Sequence, residues 1–474
     1  MRGSRLNGPR LNGSRVNGAS VLVAGLSSAF GVALLQVIGV LTAVIDADPR
    51  AHASHTLGLV LSIVGWVFII IAIYVGAVVT ANTFATIVAG RARTIALLRL
   101  LGSSARTQRR AVAREGLLAG LVGGIAGALI GTGVAAGIAG IGLATGVITP
   151  FSYGYLSPWL LTPIAAVILT TWLASWVGSR RVLSVTPLQA LGGSEELSRE
   201  EAAHRPGRNG IALTLGILGL AALLVSVVVG LATPAALFIG VIGGVLSFTG
   251  LVLGADVIMP PALRLVGRLF GRSAPARLAA ENALRHPQRS SRATIGLVIG
   301  VTLITMFGVA TASFEQIIHA AQAAQPQEYQ GTEQVLTGVS TVFSVLIGFS
   351  GLIAAVGLVN NLSLSVLQRI RELGLLRALG FSVQQLRRMI LTESAQLTFT
   401  AVLLGLVLGA FYGWVGAQSM LGSINGSPGI VFPAVPWLIV GIVVVAGAAL
   451  TAIASWAPSR RATRVSPVAA LAVE

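Results

Sequence analysis

About ten runs of roughly 20 apolar residues, separated by polar stretches, constrain this sequence more than any other feature. A helix of that length crosses the hydrocarbon core of a bilayer. Of all residues, 54% are hydrophobic and only 10% are charged, too few to surround a water-soluble fold. The sequence therefore predicts an all-α integral membrane protein with helices near 19–45, 57–89, 116–147, 159–178, 211–231, 235–254, 294–317, 336–362, 395–417 and 435–456.

The basic residues are distributed unevenly between the predicted spans. The chain has no lysine, so all 32 basic residues are arginines, and the net charge is +17. With a cytoplasmic N-terminus and ten alternating helices, every arginine except Arg50 falls on the cytoplasmic side, as the positive-inside rule requires. We therefore expect a multi-pass protein of the cell (plasma or inner) membrane with both termini in the cytoplasm. Topology and contact with anionic membrane lipids explain the basic excess, without nucleic acid as a partner.

An internal duplication covers nearly the whole sequence. Residues 98–102 (LRLLG) match residues 376–380 (LRALG), and residues 30–33 (FGVA) match residues 307–310 (FGVA). Six spans, an even number, separate the start of one copy from the start of the next, so the two four-helix repeats are parallel. The predicted parts are a flexible cytoplasmic arm (1–18), the first repeat (19–193), a linker with two extra helices (194–291) and the second repeat (292–474), with no large extracellular domain.

The third helix of each repeat carries glycines spaced by four residues. Such ridges of small residues let helix backbones approach closely in lipid. At the offset of the repeated LRxLG string, Gly127 and Gly131 align with Gly405 and Gly409. We predict a helix-packing seam, with a seam that opens during transport as the alternative; its residues are Gly123, Gly127, Gly131, Gly405, Gly409 and Gly413.

A basic amphipathic segment connects the second and third helices of each repeat, at 90–115 and 363–394. In the second copy, apolar residues recur at helical spacing while arginines and a glutamate occupy the other faces, which is typical of a helix lying on the membrane surface. Gly102 and Gly380 then follow as predicted helix C-caps.

The string from Arg371 to Gly380 (RELGLLRALG) resembles the cytoplasmic motif of the FtsX-like/MacB-like permease family, the membrane subunits of type VII ABC transporters. The resemblance implies that this chain is a non-catalytic permease subunit, and that both segments dock as coupling helices onto a separate ABC ATPase, present in two copies. By the same resemblance, the coupling residues are Arg369, Arg371, Glu372, Gly374, Arg377 and Gly380, with Arg91, Arg93, Arg99 and Gly102 in the first copy. In the first copy Thr94 replaces the glutamate and Ala96 the glycine, which predicts two ATPase contacts of unequal strength. Alternatively, these arginines hold the segments at anionic headgroups.

The chain itself lacks the residues for ATP hydrolysis. A Walker A loop needs a lysine that reaches the phosphates, and the sequence has none. ATP and magnesium are therefore expected only on the partner ATPase, and no catalytic residue or cofactor is assigned to this chain. His52 and His55, with Asp46 and Asp48 nearby, could bind a metal, but a polar exterior loop explains them more simply, and we predict no metal site.

Two other functions remain open at the level of sequence. A secondary transporter would carry ionisable residues near mid-membrane, and the apolar centres of the spans have none. Glu115 and Glu393, which align between the repeats, lie near cytoplasmic ends, where ion pairs with Arg114 or Arg388 are possible. The second alternative is a scaffold that signals to a cell-wall hydrolase or sensor kinase.

The short predicted exterior connections, 46–56 and 318–335, offer little surface for an external protein. We therefore favour export or extraction of a lipophilic or amphipathic molecule such as a lipid or peptide antibiotic, with an accessory membrane protein or lipoprotein as a further candidate partner.

The parallel arrangement can be tested by cysteine labelling, since the chain has no cysteine of its own. Ser104→Cys and Ser382→Cys should react with a membrane-impermeant maleimide from the same side of the membrane, and Ser157→Cys from the opposite side. Labelling of intact cells and of inverted vesicles measures this. Reaction of Ser104→Cys and Ser382→Cys from opposite sides would refute parallel repeats.

Overall fold

The structure, a computed structural model, describes residues 18–46, 66–82, 103–144, 154–179, 206–267, 287–326, 340–355 and 375–464, apart from short gaps inside the second, seventh and last ranges. Within these ranges the regular structure is helical and contains no strand. The long helices are α1 (Gly18–Asp46), α2 (Ala105–Ala144), α3 (Leu161–Gly178), α4 (Pro206–Val229), α5 (Ala236–Leu253), α6 (Ala255–Gly267), α7 (Pro287–Ala324), α8 (Val383–Leu421) and α9 (Trp437–Arg464). Segments 66–82 and 340–355 are also helical wherever they are described.

The predicted class, an all-α membrane protein, is confirmed. In the described part of the chain, seven helices are long and apolar enough to cross a membrane: α1 to α5, α7 and α8. The second and tenth predicted spans coincide with shorter apolar helices at 69–82 and 437–449, and the eighth overlaps segment 340–355. Large apolar side chains cover the outside of these helices, for example Leu129, Leu213 and Val445, each more than 60% exposed, as expected for a surface that contacts lipid.

The third helix of each repeat begins earlier than the hydropathy predicts. α2 begins at Ala105 and α8 at Val383, so the first 11 residues of α2 and the first 12 of α8 extend beyond the predicted apolar spans. The cause is a serine N-cap: the Thr107 N–H donates to Ser104 Oγ (3.2 Å), and the Gln385 N–H donates to Ser382 Oγ (3.2 Å). The end of each predicted surface segment is therefore continuous with a membrane helix.

Helix α6 lies where the sequence predicts a cytoplasmic connection. Pro260 and Pro261 inside it oppose a helical assignment, because proline lacks the backbone N–H. Tertiary packing overrides this preference, since Met259 and Leu263 are almost fully buried. The Gln396 side chain of α8 also donates through Nε2 to the Leu263 carbonyl (3.0 Å).

The two repeats share one packing plan. α1 packs along α2 as α7 packs along α8, and α3 and α9 cover the second side of α2 and α8. At both crossings the backbones are in direct contact. A Cβ built on Gly131 would lie 2.6 Å from the Ala29 carbonyl oxygen, and one on Gly409 would lie 2.6 Å from the Thr302 carbonyl oxygen. Glycines therefore lie at a close helix crossing in both repeats.

The glycine pairing predicted from the sequence is wrong by one helical turn. Gly127 faces Gly25, Ser28 and Ala29 of α1. Aligning residues 30–33 with 307–310 shows which three residues of α7 match these. The matching residues are the neighbours of Gly409 rather than of Gly405. By the same comparison, the neighbours of the other glycines correspond pairwise. The equivalent pairs are Gly123 with Gly405, Gly127 with Gly409, and Gly131 with Gly413.

Because of this register, the third helix of the second repeat is longer between its N-cap and its crossing than the third helix of the first repeat. Gly123 lies 19 residues after the N-cap Ser104, whereas Gly405 lies 23 residues after the N-cap Ser382. Four residues add about 6 Å of helix, roughly one turn, so the same helix face still meets the crossing. The start of α8 therefore lies one turn farther from its crossing than the start of α2.

Larger side chains at the crossings should destabilise the protein. We expect Gly127→Val and Gly409→Val each to cost about 1–3 kcal/mol, because the added atoms meet backbone rather than flexible side chains. Thermal unfolding of the purified protein measures this. The matched control is Gly137→Val on α2, where a Cβ meets nothing within 4 Å. Equal unfolding temperatures for all three variants would refute the close crossing.

Candidate functional site

In the second repeat, residues 375–382 form a tight turn just before α8, and we call this turn the elbow. Residues 375–377 are helical, and this helix ends at Gly380, whose φ of +98° suits a residue without a Cβ. The Phe381 N–H donates to the Leu376 carbonyl (3.0 Å) and the Gly380 N–H to the Arg377 carbonyl (3.1 Å), the two bonds of a Schellman motif. The predicted helix C-cap at Gly380 is confirmed.

Packing fixes this elbow to α8. Leu376 packs on a buried cluster formed by Leu386, Met389 and Ile390. The Ser382 N–H donates to Gln385 Oε1 (2.9 Å), which completes a capping box with the serine hydroxyl. The chain therefore turns from one helix into the next without a loose connection.

The outer face of the elbow exposes two leucines on either side of a half-buried arginine. Leu375 is 46% and Leu379 is 80% exposed, and Arg377 between them is half-buried. Apolar side chains exposed together outside the apolar span are available to a protein or lipid partner.

Only part of the predicted coupling set falls on described residues. Arg377 and Gly380 lie in the elbow. The others lie outside the described residues: Arg91, Arg93, Arg99, Gly102, Arg369, Arg371, Glu372 and Gly374. Glu115 and Glu393 are half-buried on α2 and α8, and their pairing with Arg114 or Arg388 stays a prediction. His52 and His55 also lie outside the described residues.

Two polar contacts near the same end of the bundle have no signal in the sequence. The Arg109 guanidinium lies 4.1 Å from the centroid of the Trp176 ring, a cation–π contact between α2 and α3. Arg208 Nη1 and Asp256 Oδ2, 2.9 Å apart, form an ion pair between α4 and α6. Both pairs come from residues distant in sequence, so neither spacing nor periodicity indicates them.

At the other end of α8, helix α5 joins the two repeats through two tyrosines. The Tyr74 hydroxyl of the first repeat lies 2.9 Å from Thr249 Oγ1, and the Tyr412 hydroxyl of α8 lies 2.9 Å from Ser247 Oγ. Phe248, between these two partners, stacks edge-on with both tyrosine rings. The inserted pair α4/α5 also reaches α8 through a contact between Ser226 Oγ and Ser419 Oγ (3.0 Å).

The family model described as FtsX-like permease C-terminal matches this chain twice, at residues 66–187 and 344–467, slightly more than half of the chain in total. Each match begins in the helix that precedes a predicted coupling segment and ends after the last helix of its repeat. The chain belongs to the FtsX-like permease family. The double match gives this FtsX-like permease two copies of the family unit in one polypeptide.

Curated relatives agree with this assignment. The chain is 30% identical over 188 residues to the ABC transporter permease YtrF of Bacillus subtilis, which covers 36% of this chain and 43% of YtrF. It is 27% identical over 144 residues to the uncharacterized ABC transporter permease YknZ of the same organism, covering 30% of this chain and 34% of YknZ. A macrolide export ATP-binding/permease protein, MacB of Rhodopirellula baltica, is 30% identical over 141 residues, 30% of this chain and 19% of MacB. The matched stretch thus spans less than half the length of each relative.

The conformation of Gly380 can be tested by substitution. A Cβ at this position meets nothing within 4 Å, so any effect comes from the backbone alone. We expect Gly380→Val to weaken the elbow by about 1–2 kcal/mol, because side chains disfavour a positive φ, whereas Gly380→Asn should be milder. Hydrogen exchange of the Gly380 and Phe381 amides should rise roughly 5- to 30-fold in the valine variant. Unchanged exchange in that variant would contradict a locked elbow.

Proposed function

We propose that this FtsX-like permease is the membrane subunit of an ABC transport machine, driven by a separate ATPase that binds the two cytoplasmic segments. The observation that carries the proposal is the elbow at Gly380, which packs on α8 and exposes Leu375 and Leu379 on either side of the half-buried Arg377. Family membership supports it, since the named relatives are ABC transporter permeases.

The contacts of α8 provide a path for force. α8 has 39 residues and is therefore about 58 Å long, enough to reach from the elbow across a bilayer. Its far end contacts the inserted pair through Tyr412 and Ser419, and α5 contacts Tyr74 of the first repeat. A push on the elbow would thus reach both repeats.

In this proposal the arginine-rich ends of the helices face the cytoplasm, where two ATPase copies bind ATP and magnesium. The two contacts are unequal. The first segment has Thr94 and Ala96 where the second has Glu372 and Gly374. In addition, α8 has one more turn than α2 between its N-cap and its crossing. Equal movements of two ATPases would therefore act on helices of different length.

For cargo we propose a lipophilic or amphipathic molecule that is exported or extracted from the outer leaflet. The short exterior connections support this, because they offer little surface to hold a soluble protein. One relative is named as a macrolide export protein.

Binding of the ATPase can be measured by affinity purification of the tagged chain, with the partner identified by its Walker A sequence and its ATP turnover. We expect Arg371→Ala combined with Glu372→Ala to lower the bound ATPase at least tenfold, because charge-assisted hydrogen bonds at an interface contribute about 1.5–3 kcal/mol each. The corresponding first-repeat variant, Arg93→Ala with Thr94→Ala, should have a smaller effect. Arg5→Ala with Arg10→Ala controls for loss of positive charge outside the segments.

Unchanged ATPase binding in the second-repeat variant would refute the docking role of this segment. Reconstitution of the complete complex then tests the cargo: ATP-dependent extraction of a labelled amphiphile supports transport. Movement driven by an ion gradient without ATP would indicate a secondary transporter, and ATP turnover with no extraction would indicate signalling.

A further inference from the structure

An apolar cavity lies where the first repeat, the inserted pair and the second repeat meet. Its volume is about 160 Å³. One water molecule needs roughly 10–15 Å³, so the cavity is large enough for a ligand. Its walls include residues from all three parts: Val67 and Tyr74, Val241 and Phe248, and Met306 and Tyr412.

The cavity lies far from the elbow. α8 contributes residues 412–420 to the wall, and Tyr412 is 29 residues beyond Val383, about 44 Å along the helix. With the elbow in the cytoplasm, the cavity falls in the outer half of the membrane.

The cavity wall offers too few free polar groups to bind a charged ligand. Among the described residues, none that lines the cavity is charged. The Tyr74 and Tyr412 hydroxyls already have partners on α5, so their rings, rather than their hydroxyls, are available to a ligand. Thr302 is only 2% exposed, and its hydroxyl has no hydrogen-bond partner among the described residues. One lone hydroxyl could not hold a headgroup, because a headgroup needs several hydrogen bonds or charges.

The side chains of the wall fit a flexible apolar chain. Met306 and Met420 line it, and methionine side chains adapt to chains of variable conformation. Water is disfavoured, because it needs two to four polar partners. We propose that this cavity binds one hydrocarbon tail of an amphipathic molecule, with the headgroup outside the cavity. The role of this site rests on the proposed function, because the tail would belong to the transported cargo.

Two glycines allow the cavity to be filled without disturbing its walls. Gly244 of α5 and Gly416 of α8 line the cavity, and a Cβ at either position meets nothing within 4 Å. Gly244→Leu and Gly416→Leu should therefore extend into open space. Gly137→Leu is the matched control, because Gly137 has equally open surroundings but lies on the exposed side of α2, away from the cavity.

The test uses the purified full-length chain in detergent micelles without added phospholipid or ATPase, and a palmitic acid analogue that carries a diazirine near the end of its chain. After illumination, mass spectrometry maps the labelled residues. We expect labelling of the cavity walls on α5, α7 and α8, reduced at least fivefold in Gly244→Leu and Gly416→Leu but unchanged in Gly137→Leu. Thermal unfolding of the filled variants should stay equal to wild type or rise, which separates a filled cavity from a misfolded protein.

Competition identifies the source of the tail. Unlabelled phospholipid that suppresses the cavity signal points to a membrane lipid, and an acylated peptide that does so points to an exported peptide; either result supports the proposal. Labelling confined to lipid-facing residues such as Leu129, or a cavity signal that survives both leucine variants, would overturn it. Because no ATPase is present, loss of ATPase binding in the Arg371 and Glu372 variants cannot mimic either outcome.

Discussion

Direct backbone contact between helices is the constraint on which the rest of this membrane protein depends. Lipid tails are as apolar as the side chains that face them, so burial of apolar surface does not hold membrane helices together. Close van der Waals packing must do so, and it requires positions without a Cβ. Gly127 against α1 and Gly409 against α7 provide this contact once in each repeat. Everything that the repeats hold in place, from the elbow to the seam, is built on these two crossings.

The second repeat is more than a copy of the first. Its third helix has one additional turn between N-cap and crossing. A one-turn insertion keeps the packing face of a helix and changes only its reach. Duplication followed by such an insertion gives two similar bundles that respond differently to the same movement, which suits a machine driven at two points.

The inserted pair connects these unequal repeats. α4 and α5 contact each other closely through Gly219, Gly243 and Gly250, and the pair rests on α8 through Gly230 and Ser419. α5 then offers hydrogen-bond partners to a tyrosine from each repeat. Any separation of the repeats at this end must break one of these bonds or move α5, so the inserted helices limit how far the two repeats can separate, and the apolar cavity lies at that point.

The sequence by itself determined the features that depend on local chemistry. Span length and hydropathy gave the membrane helices, the four-residue glycine spacing gave the packing ridges, and the C-cap at Gly380 followed because only glycine readily adopts its positive φ. The serine caps indicate the early starts of α2 and α8, but hydropathy does not, because the first turns of these helices are polar.

Only the tertiary structure decided the features that depend on distant partners. The crossing register differs from the sequence alignment by one turn, because aligned helix ends do not fix where two helices touch. Packing stabilised α6 despite Pro260 and Pro261. The bonds of Tyr74 and Tyr412 to α5, and the cavity beside them, join residues more than 160 positions apart, and no local pattern encodes such a meeting.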